Sequence, residues 1–127
     1  MKLLLVEPDR VLAKTYAEAL LGAGHHVVAA ATAQGAIQAA DALVPDLVIL
    51  ELQLVEHSGI EFLYEFRSYV DWQDKPVIIQ THVPPAEFGG SRQLLKTELG
   101  VGAYLYKPHT SLRELLAHVS EYEPIAA

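Results

Sequence analysis

Short apolar runs alternate with amphipathic stretches along the whole chain. Leu3–Val6, His26–Ala31, Leu47–Leu50, Pro76–Gln80 and Ala103–Tyr106 read as strands, being brief apolar segments bounded by turn residues. Between them lie helical patterns. Asp9 is placed to cap a first helix with Val11, Leu12, Tyr16, Ala19 and Leu20 at helical spacing, and Gly22 and Gly24 stop it. Thr32 caps a second, with Ile37, Ala40 and either Leu43 or Val44 inward, broken by Pro45-Asp46. A third follows Gly59 and turns Ile60, Leu63, Phe66 and Val70 inward. Residues 82–91, with Pro84, Pro85, Gly89 and Gly90, predict mostly loop, and a short helix over Arg92–Leu99 follows. Ser111 or Thr110 caps a last helix with Leu112, Leu115, Leu116 and Val119 inward.

Strands that alternate with helices and are apolar throughout predict an α/β fold: a doubly wound, five-stranded parallel sheet with helices on both faces. At 127 residues the chain is expected to form one domain, 1–127, with enough buried surface for a real core. There is no internal repeat. The net charge of −7 and nine scattered Lys and Arg argue against nucleic-acid binding by this domain alone, which needs clustered cations. No apolar run is long enough to span a membrane, and the apolar start is cut short by Glu7 and Asp9, unlike a signal peptide. The absence of cysteine excludes disulfides and thiolate metal sites, and together these features predict a cytoplasmic protein. The six histidines include no pair at the i, i+4 spacing of a helical metal site, and no metal is expected through them.

In a doubly wound sheet, function gathers at the carboxyl ends of the strands. There the first strand delivers Glu7, Pro8 and Asp9, the third Glu51, the fourth Thr81 and His82, and the fifth Lys107. Three carboxylates converging in a partly buried site need a cation, and Lys107 is the internal one.

The segments "LLLVEPD", "PDLVILELQLVEHSGIEF", "KPVIIQTH" and "GAYLYKP", in this order and at this spacing, resemble the receiver domain of two-component response regulators over residues 2–120. The resemblance implies the flavodoxin-like receiver fold with strand order 2-1-3-4-5. It also implies an aspartate at the end of the third strand that accepts a phosphoryl group from a histidine kinase, and two acidic residues after the first strand that hold Mg²⁺. A Thr or Ser and a Lys ending the fourth and fifth strands would contact the phosphoryl group, and the peptide bond before Pro108 would be cis. By position, Glu51 stands at the acceptor, Glu7 and Pro8 at the two acidic places, Thr81 at the switch hydroxyl, Tyr104 at the switch aromatic and Lys107 at the lysine.

Two departures shape the functional expectation. Glu51 carries one methylene more than aspartate, which displaces the reacting oxygen by about one bond length in a chemistry where about 1 Å of misplacement costs about 10²-fold in rate. Pro8 offers no carboxylate, so Mg²⁺ is expected to bind weakly at best and no cofactor is expected. Asp9 is better used as a helix cap. The expectation is therefore a pseudo-receiver without enzymatic activity, signalling through protein contacts independently of aspartyl phosphorylation, with Glu51 a fixed anion paired to Lys107. Its partner, a histidine kinase, an effector domain or another signalling protein, would meet the face made by the fourth helix, fifth strand and fifth helix, Tyr104 included. A homodimer through that face is the second arrangement. His82 at the site mouth and Phe88 on the long 82–91 loop are expected to alter access and partner choice. The competing reading is a working phosphoacceptor that uses Mg²⁺ through Glu7, Asp9 and Glu51. An unrelated flavodoxin-like binding domain fits less well, because no Gly-rich loop follows the first strand.

Overall fold

In the computed structural model, which describes residues 1–87 and 92–124, the apolar runs become β1 (Lys2–Val6), β2 (His26–Ala30), β3 (Leu47–Leu50), β4 (Val77–Thr81) and β5 (Val101–Tyr106). They form one parallel sheet in the order β2-β1-β3-β4-β5. The helices are α1 (Arg10–Gly22), α2 (Ala33–Leu43), α3 (Gly59–Ser68), α4 (Arg92–Thr97) and α5 (Leu112–Ser120), with 3-10 turns at Val70–Trp72 and Lys107–His109.

Alternation along the strands splits the core in two. Leu4, Val6, Val48, Leu50, Val77 and Ile79 face α2, α3 and α4, where Phe62, Phe66 and Trp72 stack in sequence. Leu3, Leu5, Leu47, Ile49 and Ile78 face α1 and α5 through Tyr16, Leu20, Leu115 and Val119. All of β3 is completely buried, as a central strand covered on both faces must be. β2 departs from that expectation: it lies at the sheet edge and His26, Ala29 and Val28 are exposed.

The caps fall where short polar side chains precede apolar periodicity. Asp9 Oδ1 accepts from the N–H groups of Val11 and Leu12 at 2.9 and 3.0 Å. Thr32 and Ser58 cap α2 and α3, and Ser111 forms a reciprocal capping box with Glu114 on α5. Some predicted inward positions are corrected. Val11 lies on the outer face of α1, and Leu112 is exposed. Val70 lies beyond α3 in the 3-10 turn and points to solvent, while Trp72 of the same turn takes the buried place. Val44 ends α2 in the left-handed region, φ 52°, with its side chain outward. No cis peptide bond occurs among the described residues, the one before Pro108 included.

Arg67 leaves α3 to bind three carbonyls beyond it. Nε donates to Leu99 O at 2.9 Å, and the two terminal nitrogens to Trp72 O at 2.7 Å and Gly100 O at 3.3 Å. It thereby ties the end of α3 to the α4–β5 turn, where Gly100 adopts φ +63°.

Two backbone substitutions test this local reading by urea denaturation. At Gly59 an added Cβ would sit 2.7 Å from Leu52 Cα and 2.8 Å from Glu51 O, both backbone atoms. Gly59→Ala is expected to destabilise by about 1–3 kcal/mol, the usual cost of overpacking. Val44→Gly is expected to stabilise by about 1 kcal/mol, since it relieves a left-handed β-branched residue whose exposed side chain contributes little burial.

Candidate functional site at the carboxyl edge

Ladder hydrogen bonds carry Glu7 and Glu51 to the sheet rim: Glu7 N–H donates to Ala30 O at 2.9 Å and Glu51 N–H to Val6 O at 3.0 Å. Both side chains, and that of Lys107, are almost fully buried. The Lys107 ammonium binds both carboxylates at once, Glu7 through Oε1 and Glu51 through Oε1 at 2.8 Å. The second Glu7 oxygen accepts from the Asp9 N–H at 3.1 Å.

Glu51 gathers further donors. Its Oε1 also takes the His82 N–H at 3.2 Å, and its Oε2 takes the Thr81 hydroxyl and the Gln53 N–H, the latter at 3.1 Å. Four donors thus converge on a group with about four lone-pair sites. The His82 imidazole, half exposed, stands at the mouth with Nδ1 3.5 Å from Glu51 Oε1. Thr81 is fully buried and also accepts the Val83 N–H at 3.1 Å. Tyr104 Oη donates to Val83 O at 2.7 Å. A continuous hydrogen-bonded chain therefore runs from Glu51 through Thr81 and Val83 to Tyr104, on the α4 side of β5.

Burial alone would raise the Glu51 carboxyl; the hydrogen bonds from Lys107, Thr81 and Gln53 outweigh it and hold the group below the ordinary carboxylate value. Burial alone would lower Lys107; its hydrogen bonds to Glu51 and Glu7 outweigh it and raise the ammonium above the ordinary lysine value.

The structure thus brings together Glu7, Glu51, Thr81, His82 and Lys107. It does not bring in Asp9, whose exposed carboxylate caps α1. The expected three-carboxylate pocket is corrected to two, because the capping geometry turns the Asp9 side chain toward the helix N-terminus. Pro8 is half-buried at the rim and supplies no donor oxygen from its side chain. Phe88 lies outside the described residues. The donor set does not fit Mg²⁺, which seeks near-octahedral oxygen ligands. The two inward carboxylates each spend an oxygen on Lys107, and Pro8 adds no carboxylate beside them.

Sequence reasoning missed two residues that hold this rim in place. Val83 is buried within the segment read as loop, and its position two residues past Thr81 was the available signal. Gly59 packs directly against the Glu51 and Leu52 backbone, its N–H donating to Leu52 O at 2.7 Å.

Comparison with known proteins places these features in context. The family model described as the response regulator receiver domain matches residues 3–120. The KDP operon transcriptional regulatory protein KdpE of Escherichia coli is 33% identical over 105 residues, covering 83% of this chain and 44% of that protein. The transcriptional regulatory protein CpxR of Klebsiella pneumoniae is 34% identical over 118 residues, covering 93% of this chain and 47% of its own length. The chain therefore spans less than half the length of these relatives. Among solved structures, the non-phosphorylated HemR receiver domain of Leptospira biflexa aligns with TM-score 0.82 at 27% identity, covering 99% of this chain and 96% of that one. The chemotaxis protein CheY4 of Vibrio cholerae shares the fold with TM-score 0.85 at 23% identity, covering 96% and 98% of the two chains.

The buried charge cluster makes two predictions. Lys107→Met leaves two buried carboxylates without their cation and is expected to cost about 3–5 kcal/mol in chemical denaturation, with the Glu51 titration followed by carboxyl NMR moving upward. In the wild-type protein, the stability owed to Glu51 is present above the ordinary carboxylate value and is lost as pH falls through its depressed value. That owed to Lys107 is present below the ordinary lysine value and is lost as pH rises through its raised value. A stability–pH profile should fall at both ends accordingly, and Glu51→Gln should flatten the acid limb.

Proposed function

The chain belongs to the response regulator receiver domain family, and on that premise we propose that it is a receiver whose signalling state does not depend on phosphoryl transfer. The observation that carries this reading is the saturated Glu51 carboxylate. Attack on phosphorus needs a free lone pair aimed in line. The oxygens of Glu51 are instead occupied by Lys107, Thr81 and two backbone N–H groups. Thr81 and Lys107 are also the residue types that the family resemblance assigns to contacts with a phosphoryl group. Glu51 draws both onto itself and acts as a fixed anion in the acceptor's place.

The mimicry is partial in charge. A carboxylate supplies about one negative charge against the −1.5 to −2 of a phosphoryl group. What it does supply is a permanent acceptor for the Thr81 hydroxyl, and through Val83 a fixed position for Tyr104. The output is then a protein contact rather than a catalysed reaction. The face offered is that of α4, β5 and α5, where a cleft of about 310 Å³ between α4 and β5 is bordered by Leu95, Lys96, Val101 and Tyr104. The partner class is a histidine kinase, an effector domain or another signalling protein. The length of the matched transcriptional regulators supports an effector domain, since receiver-like sequence accounts for less than half of each.

Incubation with acetyl phosphate and Mg²⁺, followed by intact-mass measurement, is expected to leave the mass unchanged. A stoichiometric phosphoryl adduct on Glu51 would sink the proposal in favour of a working phosphoacceptor. Glu51→Gln removes the charge with little change of shape. It is expected to shift the NMR resonances of Lys107, Thr81 and Tyr104 together, and unchanged Tyr104 resonances would mean that the anion does not reach the partner face.

A further inference from the structure

We propose that the cleft between α2 and α3 is a docking groove for a basic amphipathic helix of a partner protein. The cleft has a volume of about 540 Å³, within the range of pockets that take ligands. It lies on the α2–α3 flank and is lined by none of the residues that bind Glu51 or border the α4–β5 cleft.

Its walls are built in register. Gln34 and Gln38 stand one turn apart on α2, and Glu61 and Glu65 one turn apart on α3. Ile37 and Phe62 form an apolar floor between them. His57, just before α3, closes one end, and Tyr69, just after it, closes the other. By the rise of a helix the ten residues of α3 run about 15 Å along the groove, which suits an elongated segment better than a compact small molecule.

Charge complementarity identifies the occupant. Glu61 is met on one oxygen by His57 Nδ1 at 3.0 Å, whereas the Glu65 carboxylate has no hydrogen bond or ion pair among the described residues. α2 contains no Lys or Arg, and the single one on α3, Arg67, is turned away to the carbonyls of Trp72, Leu99 and Gly100. Among the described residues, the groove thus presents two carboxylates with no lysine or arginine in its lining. Two basic residues one turn apart on a partner helix would meet Glu61 and Glu65, while an apolar side chain between them reaches Ile37 and Phe62. The glutamine amides opposite can bind either donors or acceptors at the rim of such a helix.

The test is a ¹⁵N NMR titration of the full chain with a synthetic amphipathic helical peptide that carries two arginines four residues apart beside a leucine. A second peptide has glutamates in place of the arginines. Expected are shifts confined to residues 33–38 and 57–69, binding that weakens with salt, and an affinity loss of about ten-fold or more in the Glu61→Gln/Glu65→Gln variant. Both glutamates are exposed, and Glu61 meets the Ser58 cap through its backbone N–H, so this variant keeps its fold. The proposal is overturned by equal binding of the glutamate peptide, by unchanged affinity in the variant, by shifts centred on Lys96 and Tyr104, or by no shifts at all.

Discussion

One ammonium between two carboxylates organises the carboxyl edge of this sheet. Glu7 follows β1, Glu51 follows β3 and Lys107 follows β5, so the three side chains join strands that are not all neighbours. Two like charges forced together out of water would be strongly unfavourable, and removing the cation would leave them so. Their burial is tolerable because Lys107 binds both and because backbone N–H groups and a hydroxyl satisfy the remaining oxygens. A pair of this kind is weak evidence for net stability, but it is specific in geometry: few other arrangements of these strands would satisfy every group.

That geometry extends beyond the charges. Thr81 donates to Glu51 and accepts from Val83, whose carbonyl in turn holds the Tyr104 hydroxyl. The loop after β4 is thus anchored by Val83 inside the core and by hydrogen bonds on either side of it. A change in the charge at residue 51 has a physical route to the α4–β5 cleft that passes through side chains and one short stretch of backbone. On the other flank, Arg67 fixes the α4–β5 turn to α3. The cleft bordered by Tyr104 is held from both sides.

Much of this was legible in the sequence because it rests on periodicity and on strand ends. β3 announces itself as Leu47–Leu50, and a strand that apolar must lie in the middle of the sheet. Asp9 and Thr32 sit before helical patterns and cap as expected, and of Ser111 and Thr110 it is Ser111 that caps; the Ser58 cap of α3 was not read from the sequence. Glu7, Glu51, Thr81 and Lys107 converge because parallel strands deliver their ends to one edge. Less legible was what depends on side-chain direction and long-range contact. Asp9 stands two residues from Glu7, but its cap bonds rotate it out of the site. Val70 fits the α3 stripe on paper, yet the helix ends before it and Trp72 fills the core instead. Arg67 looks like any exposed terminal arginine until Leu99 and Gly100, far along the chain, arrive beside it. Nothing local signals such partners.

The anion at residue 51 is attached through carbon. An acyl phosphate is cleaved by water, so a signal written in that bond carries its own clock. A side-chain carboxylate has no such bond to lose, and whatever arrangement it holds endures for the lifetime of the folded molecule. On the proposed phosphorylation-independent reading, timing would come from how many copies exist and how many partners they meet, because a fixed state leaves the occupancy of the complex to concentration.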